Sequence, residues 1–482
     1  MRTVCLLLAL SAAFCVCARD IDVESYVRKY WTIFHGKGRV VGNGDARWPL
    51  TPALKAERFR HFKGVMLRFA PHIVEESYLI DRAFNWKKGT YLRMMRFSSV
   101  EAETAPAAPA AAAAPAAGAA AKSTREEYHE CTSWIAMPDL TGGRTVFMHK
   151  NRDSRLSEVT LLRRAVPGKH AWIGNGPKNG FNPTQGINDR GVVVMMNSGD
   201  PAAEADNSQN GMGTPIICRI LLEESGSAED AVKLLEKIVR DNAYSHAESG
   251  SIWFIGDRKN VYIAENHART VVAKPLNSGF DIRANAFHYP EMQRFSHRNF
   301  ASLHGHARRE FAVRDFLIIQ RWMNNGILTP ADFAASSRIN QFPDKGTGYT
   351  PCGARTVTGV TFAIDMEYPE TLSTMYSVFG PPRSSCFIPV PMTIRNIPEE
   401  ILNGSFSRKS LDLHEKKLPL LPENELNALE DRLRQRHTEA VEKVRKMLRI
   451  SRVYSTHEDA AKILNDAFNA NWQDVKNTLK LK

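Results

Sequence analysis

Cys131-Thr132-Ser133-Trp134-Ile135-Ala136-Met137, followed by Pro138-Asp139-Leu140-Thr141-Gly142-Gly143 and then Arg144-Thr145-Val146-Phe147-Met148-His149-Lys150, is the stretch on which the fold turns. The first run is β-branched and aromatic, the second is a turn, and the third returns with Val146, Phe147 and Met148. That pattern predicts a β-hairpin with Cys131 at its free end. Just before it, from Ala102 to about Ser123, the composition collapses to alanine broken by proline. Such a segment is too poor in apolar bulk to fold and too interrupted for one helix, so it reads as a linker open to cleavage. A cut between Glu130 and Cys131 would give Cys131 a free α-amine, whose ordinary pKa of about 7.7 to 8.0 suits a general base at neutral pH. One residue would then supply both nucleophile and base.

The segments upstream of the hairpin set the expected compartment. Arg2, the apolar run Leu6 to Phe14 and the small-residue site Val16-Cys17-Ala18 read as a secretory signal over 1–18. Export, to a secreted or periplasmic location, is therefore expected. The residues before Cys15 and Cys17 are not the small pair that lipoprotein processing prefers, so lipidation is not expected. Residues 19–100 carry Phe59, Phe62, Val65, Met66 and Phe69 at helical spacing and read as a helical pro-region, with the linker at 101–130.

Composition bounds the rest. At 482 residues and 43% apolar, the chain can bury a large core and should hold more than one unit. Its net charge of +12 is scattered, with no long basic run interleaved with aromatics, so no nucleic-acid partner is expected. No stretch beyond the leader approaches the roughly 18 apolar residues of a membrane span. Once Cys5, Cys15 and Cys17 leave with the signal, Cys131, Cys218, Cys352 and Cys386 remain, too widely spaced for a metal motif. Cys352 and Cys386 are the first pair to test for a disulfide.

Downstream, strands are expected at Gly191 to Met196, Ile252 to Ile255, Val261 to Glu265, Thr356 to Ile364 and Thr371 to Phe379. Ser227 caps a helix bearing Ala231, Leu234, Leu235 and Ile238, and Phe311 to Met323 is a second, strongly apolar helix. Hairpins alternating with helices predict an α+β protein of stacked layers rather than βαβ crossovers. After residue 410 the chain becomes amphipathic helix, first through Leu426, Leu429, Leu433, Val441, Val444 and Leu448. A second helix opens at the capping box Ser455-Thr456-His457-Glu458. This 411–482 extension should pack on the 131–410 domain, and a homo-oligomer contact through it stays open.

The order Cys131-Thr132-Ser133, His149-Lys150-Asn151-Arg152-Asp153-Ser154, then Gly186-Ile187-Asn188-Asp189-Arg190-Gly191 leading to Asn197, resembles the N-terminal-nucleophile cysteine hydrolases. The similar groups are the penicillin acyltransferase-type autoproteolytic peptidases, the choloylglycine hydrolase and penicillin V acylase group, and the cysteine dipeptidases. The resemblance spans about Cys131 to Met392 and implies a four-layer αββα sandwich. It implies cleavage of a linear amide through a Cys131 thioester, by hydrolysis or acyl transfer, with no metal or organic cofactor and a small-molecule amide or peptide as substrate. It assigns Cys131 the Glu130–Cys131 cut, Asp153 the orientation of the freed amine, and Asn197 and Asn285 the oxyanion. Lys150 stands where many relatives carry arginine, and Arg355 follows the Thr350-Pro351 turn as in the family. A compact ammonium cannot imitate a bidentate guanidinium, so substrate preference does not transfer directly. Two alternatives remain: a dipeptidase or N-acyl-lipid amidase of the same superfamily, and an inactive secreted scaffold or polyanion-binding protein.

Three other motifs carry less. Gly174-Asn175-Gly176 with Gly180 lacks the strand, helix and lysine of a phosphate loop. His304-Gly305-His306 lacks a matching carboxylate or cysteine set and reads as a solvated helix end. A Gly-x-Ser-x-Gly elbow is absent.

Overall fold

The computed structural model describes residues 20–30, 52–96, 131–154, 156–201, 211–245, 249–267, 270–295, 300–340, 350–450 and 454–480. The leader, the Ala/Pro-rich linker and Glu130 lie outside the described residues, as do Gly348 and Tyr349. Two compact units are distinguished, one over Asp22–His129 and one over Glu130–Lys482 with Met1–Ile21.

The smaller unit is helical: α1 (Val23–Tyr30), α2 (Pro52–Phe69), α3 (Pro71–Ala83) and α4 (Thr90–Arg96). Phe62, Val65 and Met66 are buried on one face of α2, which is the periodicity the sequence shows. The buried Asp81 accepts the Gly89 and Tyr91 N–H groups at 2.6 and 2.7 Å. It thereby satisfies donors that the start of α4 cannot pair internally.

The larger unit contains two antiparallel sheets. Sheet one runs β10-β1-β2-β11-β12-β13 and sheet two runs β3-β4-β5-β6-β7-β8-β9. The strands are β1 (Thr132–Ala136), β2 (Thr145–Asp153), β3 (Val159–Arg164), β4 (Trp172–Pro177), β5 (Gln185–Asn188), β6 (Val193–Pro201) and β7 (Ser249–Gly256). They continue with β8 (Val261–His267), β9 (Thr270–Pro275), β10 (Phe280–Arg283), β11 (Thr356–Asp365), β12 (Thr374–Ser377) and β13 (Ile388–Pro391). The longer helices are α5 (Thr214–Glu224), α6 (Ala228–Arg240), α7 (Phe300–Met323), α8 (Pro330–Ser336), α9 (Glu423–Ile450) and α10 (Tyr454–Leu479).

Strand alternation builds four layers from these elements. Ile135, Val146, Met148, Val360 and Phe362 of sheet one meet Leu161, Ile173, Val193, Met195, Ile252 and Phe254 of sheet two in one buried cluster. The opposite face of sheet one sends Trp134, Ala136, Phe147 and Ile282 against Val313 and Leu317 of α7 and Phe333 of α8. Helices α5 and α6 cover the outer side of sheet two. The fold is the expected αββα sandwich, with each of these large apolar side chains worth about 1.5–3 kcal/mol when fully removed from water. Glycine is required at two places. Gly191 has φ +77 in the turn between β5 and β6, and a Cβ at Gly186 would meet Ile173 O and Leu222 Cδ1 at 2.7 Å.

Helices α9 and α10 contribute Leu426, Leu429, Leu433, Phe468, Trp472 and Val475 to the inter-sheet cluster near β13. The half-buried Arg338 clamps this attachment through Glu430, at 3.1 and 2.5 Å, while Glu430 accepts the Phe387 N–H. The last helix is described from Tyr454, with Ser455-Thr456-His457-Glu458 in its first turns. The strand expected over Thr371 to Phe379 is the shorter β12, because Pro369–Leu372 forms a helical turn first. Cys131, Cys218, Cys352 and Cys386 are all free, buried thiols, so the Cys352–Cys386 disulfide is not formed. Burial pushes Cys218 and Cys352 up to about 12, which leaves them inert.

Two buried histidines make stability depend on pH. His149 sits between Thr361 Oγ1 at 2.7 Å and Asn151 Oδ1 at 2.9 Å, stacked on Trp134. His437 meets Thr374 Oγ1 at 2.8 Å. Burial holds their pKa down, to about 3 and about 4. Below the ordinary 6.5 the unfolded chain takes up these protons while the folded chain refuses them. Their contribution is therefore present above pH 6.5 and is lost progressively down to pH 3–4, at roughly 1 kcal/mol per pH unit for each. The unfolding midpoint in urea should fall between pH 6.5 and 4.5, and His437→Gln should flatten that slope. An unchanged slope in the variant would rule out the assignment.

Candidate active site

The site grows from the alternation of β1 and β2. Residues 131, 133 and 135 share the inter-sheet side of β1, because Ile135 belongs to the inner cluster. On β2 the inner side continues from Val146 and Met148 to Lys150 and Arg152. The register pairs Ser133 with Lys150 and Thr132 with Asn151, which brings Cys131, one residue earlier, level with Arg152. A register shift between Thr356 and Thr358 on β11 then seats Asp153 opposite Thr356. Cys131 is therefore held at the head of β1, 5% exposed, with its thiol 3.9 Å from the Asp153 carbonyl.

Each expected residue now has a place. The Asp153 carboxylate is buried and accepts Thr356 Oγ1–H at 2.6 Å, which fixes it beside the start of β1. Lys150 is 1% exposed and its ammonium donates to the Met196 carbonyl on the facing sheet. Burial lowers its pKa, and the nearby Cys131 thiol works in the opposite direction. Asn197 accepts Ser133 Oγ–H at 2.8 Å and donates to the carbonyls of Arg283 and Ala284 at 3.1 and 2.9 Å. Asn285 donates to Ser198 O at 2.7 Å. The two asparagines thus knit the middle of β6 to the end of β10. As placed, both Asn197 amide hydrogens are used on main-chain carbonyls, so an oxyanion role there requires one of them to be exchanged when substrate arrives. Arg355 enters differently: its carbonyl accepts the Ser154 N–H at 3.0 Å, and its guanidinium is half-exposed rather than buried with Lys150.

Sequence reading missed two cations. Arg152 lies two residues after Lys150 on the same strand face, half-buried, and its pKa is lowered by burial and raised by Cys131 and Asp153. The period of two along β2 could have found it. Arg309 of α7 is fully buried and donates to the Cys131 carbonyl at 2.9 Å. Nothing local in the sequence marks it. The neighbouring His304-Gly305-His306 run is not a solvated helix end, because His306 is buried and its Nδ1 accepts from Arg309. Among the described residues no group of three or more His, Cys, Asp or Glu is arranged to hold a metal.

Replacing Asn197 by alanine should lower stability by about 2–4 kcal/mol, since it removes three hydrogen bonds and strands buried partners. Chemical denaturation measures this, and a loss below 1 kcal/mol would remove the staple from the account.

Residues 140–303 match the family described as acyl-coenzyme A:6-aminopenicillanic acid acyl-transferase. That match spans about a third of the chain. The match covers β2 to the start of α7 and so includes Lys150, Asp153, Asn197 and Asn285, while Cys131 stands nine residues before it. Solved structures with a similar course include a variant of the conjugated bile acid hydrolase from Clostridium perfringens, at 11% identity and TM-score 0.37, over 57% of this chain and 94% of that one. Penicillin V acylase from Agrobacterium tumefaciens aligns at 13% identity and TM-score 0.34, over 54% and 86%. The Caenorhabditis elegans N-acylethanolamine-hydrolyzing acid amidase ortholog aligns at 15% and 0.33, over 48% and 92%. No curated protein matches the chain.

Proposed function

We propose that the protein is an exported, self-processing cysteine amidohydrolase that cleaves linear carbon–nitrogen amide bonds through a thioester on Cys131. The observation that carries this reading is the buried Cys131 thiol at the head of β1, flanked on β2 by Lys150, Arg152 and Asp153. In processing, Cys131 Sγ attacks the Glu130 carbonyl carbon, the Glu130–Cys131 C–N bond breaks, and the α-amine takes the proton. Water then splits the thioester, leaving a Glu130 carboxylate and a free N-terminal cysteine. In turnover the same amine withdraws the thiol proton, the thiolate forms the acyl-enzyme, and the protonated amine returns its proton to the leaving amine. Asp153 holds the amine in place, and the cations on β2 balance charge at sulfur.

Support against an inactive scaffold comes from Lys150. Enclosing an ammonium among Met196, Cys131 and Cys218 works against stability, and a chain relieved of catalysis has no reason to keep it. Intact-mass analysis of the purified protein is the decisive experiment. Two fragments with Cys131 as a new N-terminus are expected, and the processed sample should release amine from a panel of penicillin V, bile-acid conjugates, N-acyl amides and short peptides. A single uncut chain inert toward the whole panel would overturn the proposal.

A further inference from the structure

Resting on the amidohydrolase reading above, the structure assigns Arg309 as the positioning residue that locks the nucleophile's main chain and Asn285 into one unit. Its guanidinium donates to Cys131 O at 2.9 Å, to Thr132 Oγ1 at 3.2 Å and to Asn285 Oδ1 at 3.0 Å. A further N–H goes to His306 Nδ1, one turn earlier on α7. Arg309 is 0% exposed and lies 178 residues from Cys131 in sequence, so α7 delivers it to the site from the outer layer.

The geometry has two consequences. A guanidinium only donates, so Asn285 must turn Oδ1 toward it and Nδ2 away, toward Ser198 O at 2.7 Å. The donor end of Asn285 is thereby aimed at the middle of β6 instead of being free to flip. In addition, a fixed positive charge on the carbonyl of residue 131 disfavours an ammonium on the same residue, which keeps the freed α-amine available as a base. Lysine in this place keeps the charge but cannot make the planar set of bonds.

Among the described residues, the charged and titratable groups near Cys131 include Lys150, Arg152 and Asp153 on β2, Cys218 on α5, His306 and Arg309 on α7, and Arg283 at the end of β10, which Asp281 and Glu265 hold. Arg355 and Cys352 precede β11, while Glu310 is turned to Ala284 N and His288. From β6 the neutral Asn197 faces the site.

The test compares wild type, Arg309→Gln and Arg309→Lys for processing by intact mass, for folding by thermal melt, and for amide hydrolysis across pH. Arg309→Gln is expected to lower kcat roughly 10- to 100-fold with little change in KM, and to move the acid limb of the kcat profile upward by about half a pH unit or more. Arg309→Lys should keep the wild-type limb and recover part of kcat. A folded Arg309→Gln enzyme with wild-type kcat and limb overturns the assignment. If that variant does not fold, Arg309→Lys decides, and wild-type kcat in it overturns the assignment equally. Failure of the underlying reading looks different, because wild type itself would then show no Cys131-dependent cleavage or turnover.

Discussion

Cys131→Ala should yield one uncut chain of full mass and no measurable amide hydrolysis, a loss of at least about a thousandfold. Under the proposed function one sulfur would perform both reactions, so its removal would stop the cut that frees the amine and the turnover that uses it. Folding should survive, since Cys131 is nearly buried and alanine leaves only a small cavity, worth roughly 1 kcal/mol. Cys131→Ser separates the two functions of this residue. It keeps an amine once cut, but its hydroxyl is the poorer nucleophile, so slow processing and weak turnover are expected. The measurements are intact mass over time and product release. Cleavage at the Glu130–Cys131 bond in the alanine variant would mean that an external protease makes the cut.

Lys150→Met should lower kcat/KM by about a hundredfold while melting no lower than wild type. The loss follows from removing the ammonium that faces Cys131 from the next strand, where charge appears on sulfur during attack and expulsion. The stability result follows from a sign argument. Burial lowers the Lys150 pKa below its ordinary value, so at neutral pH the unfolded chain holds this proton more readily than the folded one. The cost is present whenever pH lies below the ordinary lysine value, and methionine of similar length removes it. One cost opposes this gain, because the Met196 carbonyl loses its donor. Thermal melts and steady-state rates on the same preparation check both halves. A variant that melts far lower would make Lys150 a structural strut, and one with undiminished turnover would remove it from the chemistry.

Much of this was readable from the amino acids because the relevant signals are local. A run of β-branched and aromatic residues, a Gly-Gly turn and a second apolar run sufficed for β1 and β2, and the helix over Ala228–Arg240 begins at the Ser227 cap, whose side chain accepts Asp230 N–H. Lys150 was singled out by the family resemblance and Asp153 by its spacing from Cys131, and the hairpin register pairs Lys150 with Ser133 while Asp153 lies beyond the paired stretch, opposite Thr356 of β11. Strands β4 and β5 were not legible, because Gly174, Gly176, Gly186 and Asn175 weaken the strand pattern. Those glycines are tolerated where neighbouring backbone approaches closely, as at Gly186 against the Ile173 carbonyl.

The remaining decisions were tertiary. Whether Cys352 and Cys386 pair is settled by where β11 and β13 lead them, and they stay apart as buried thiols. His306 looked solvated because its neighbours are polar, yet α7 turns it inward onto Arg309. Arg309 itself carries no mark in the sequence, for its role exists only once α7 lies over the end of sheet one. By itself the sequence determined the hairpin, with Cys131 at its head and Lys150 and Asp153 on its return strand, since short-range periodicity fixes which residues share a strand face. The tertiary structure alone decided which distant groups close around that cysteine, because a hydrogen bond spanning 178 residues depends on the packing of whole layers and leaves no trace in local spacing.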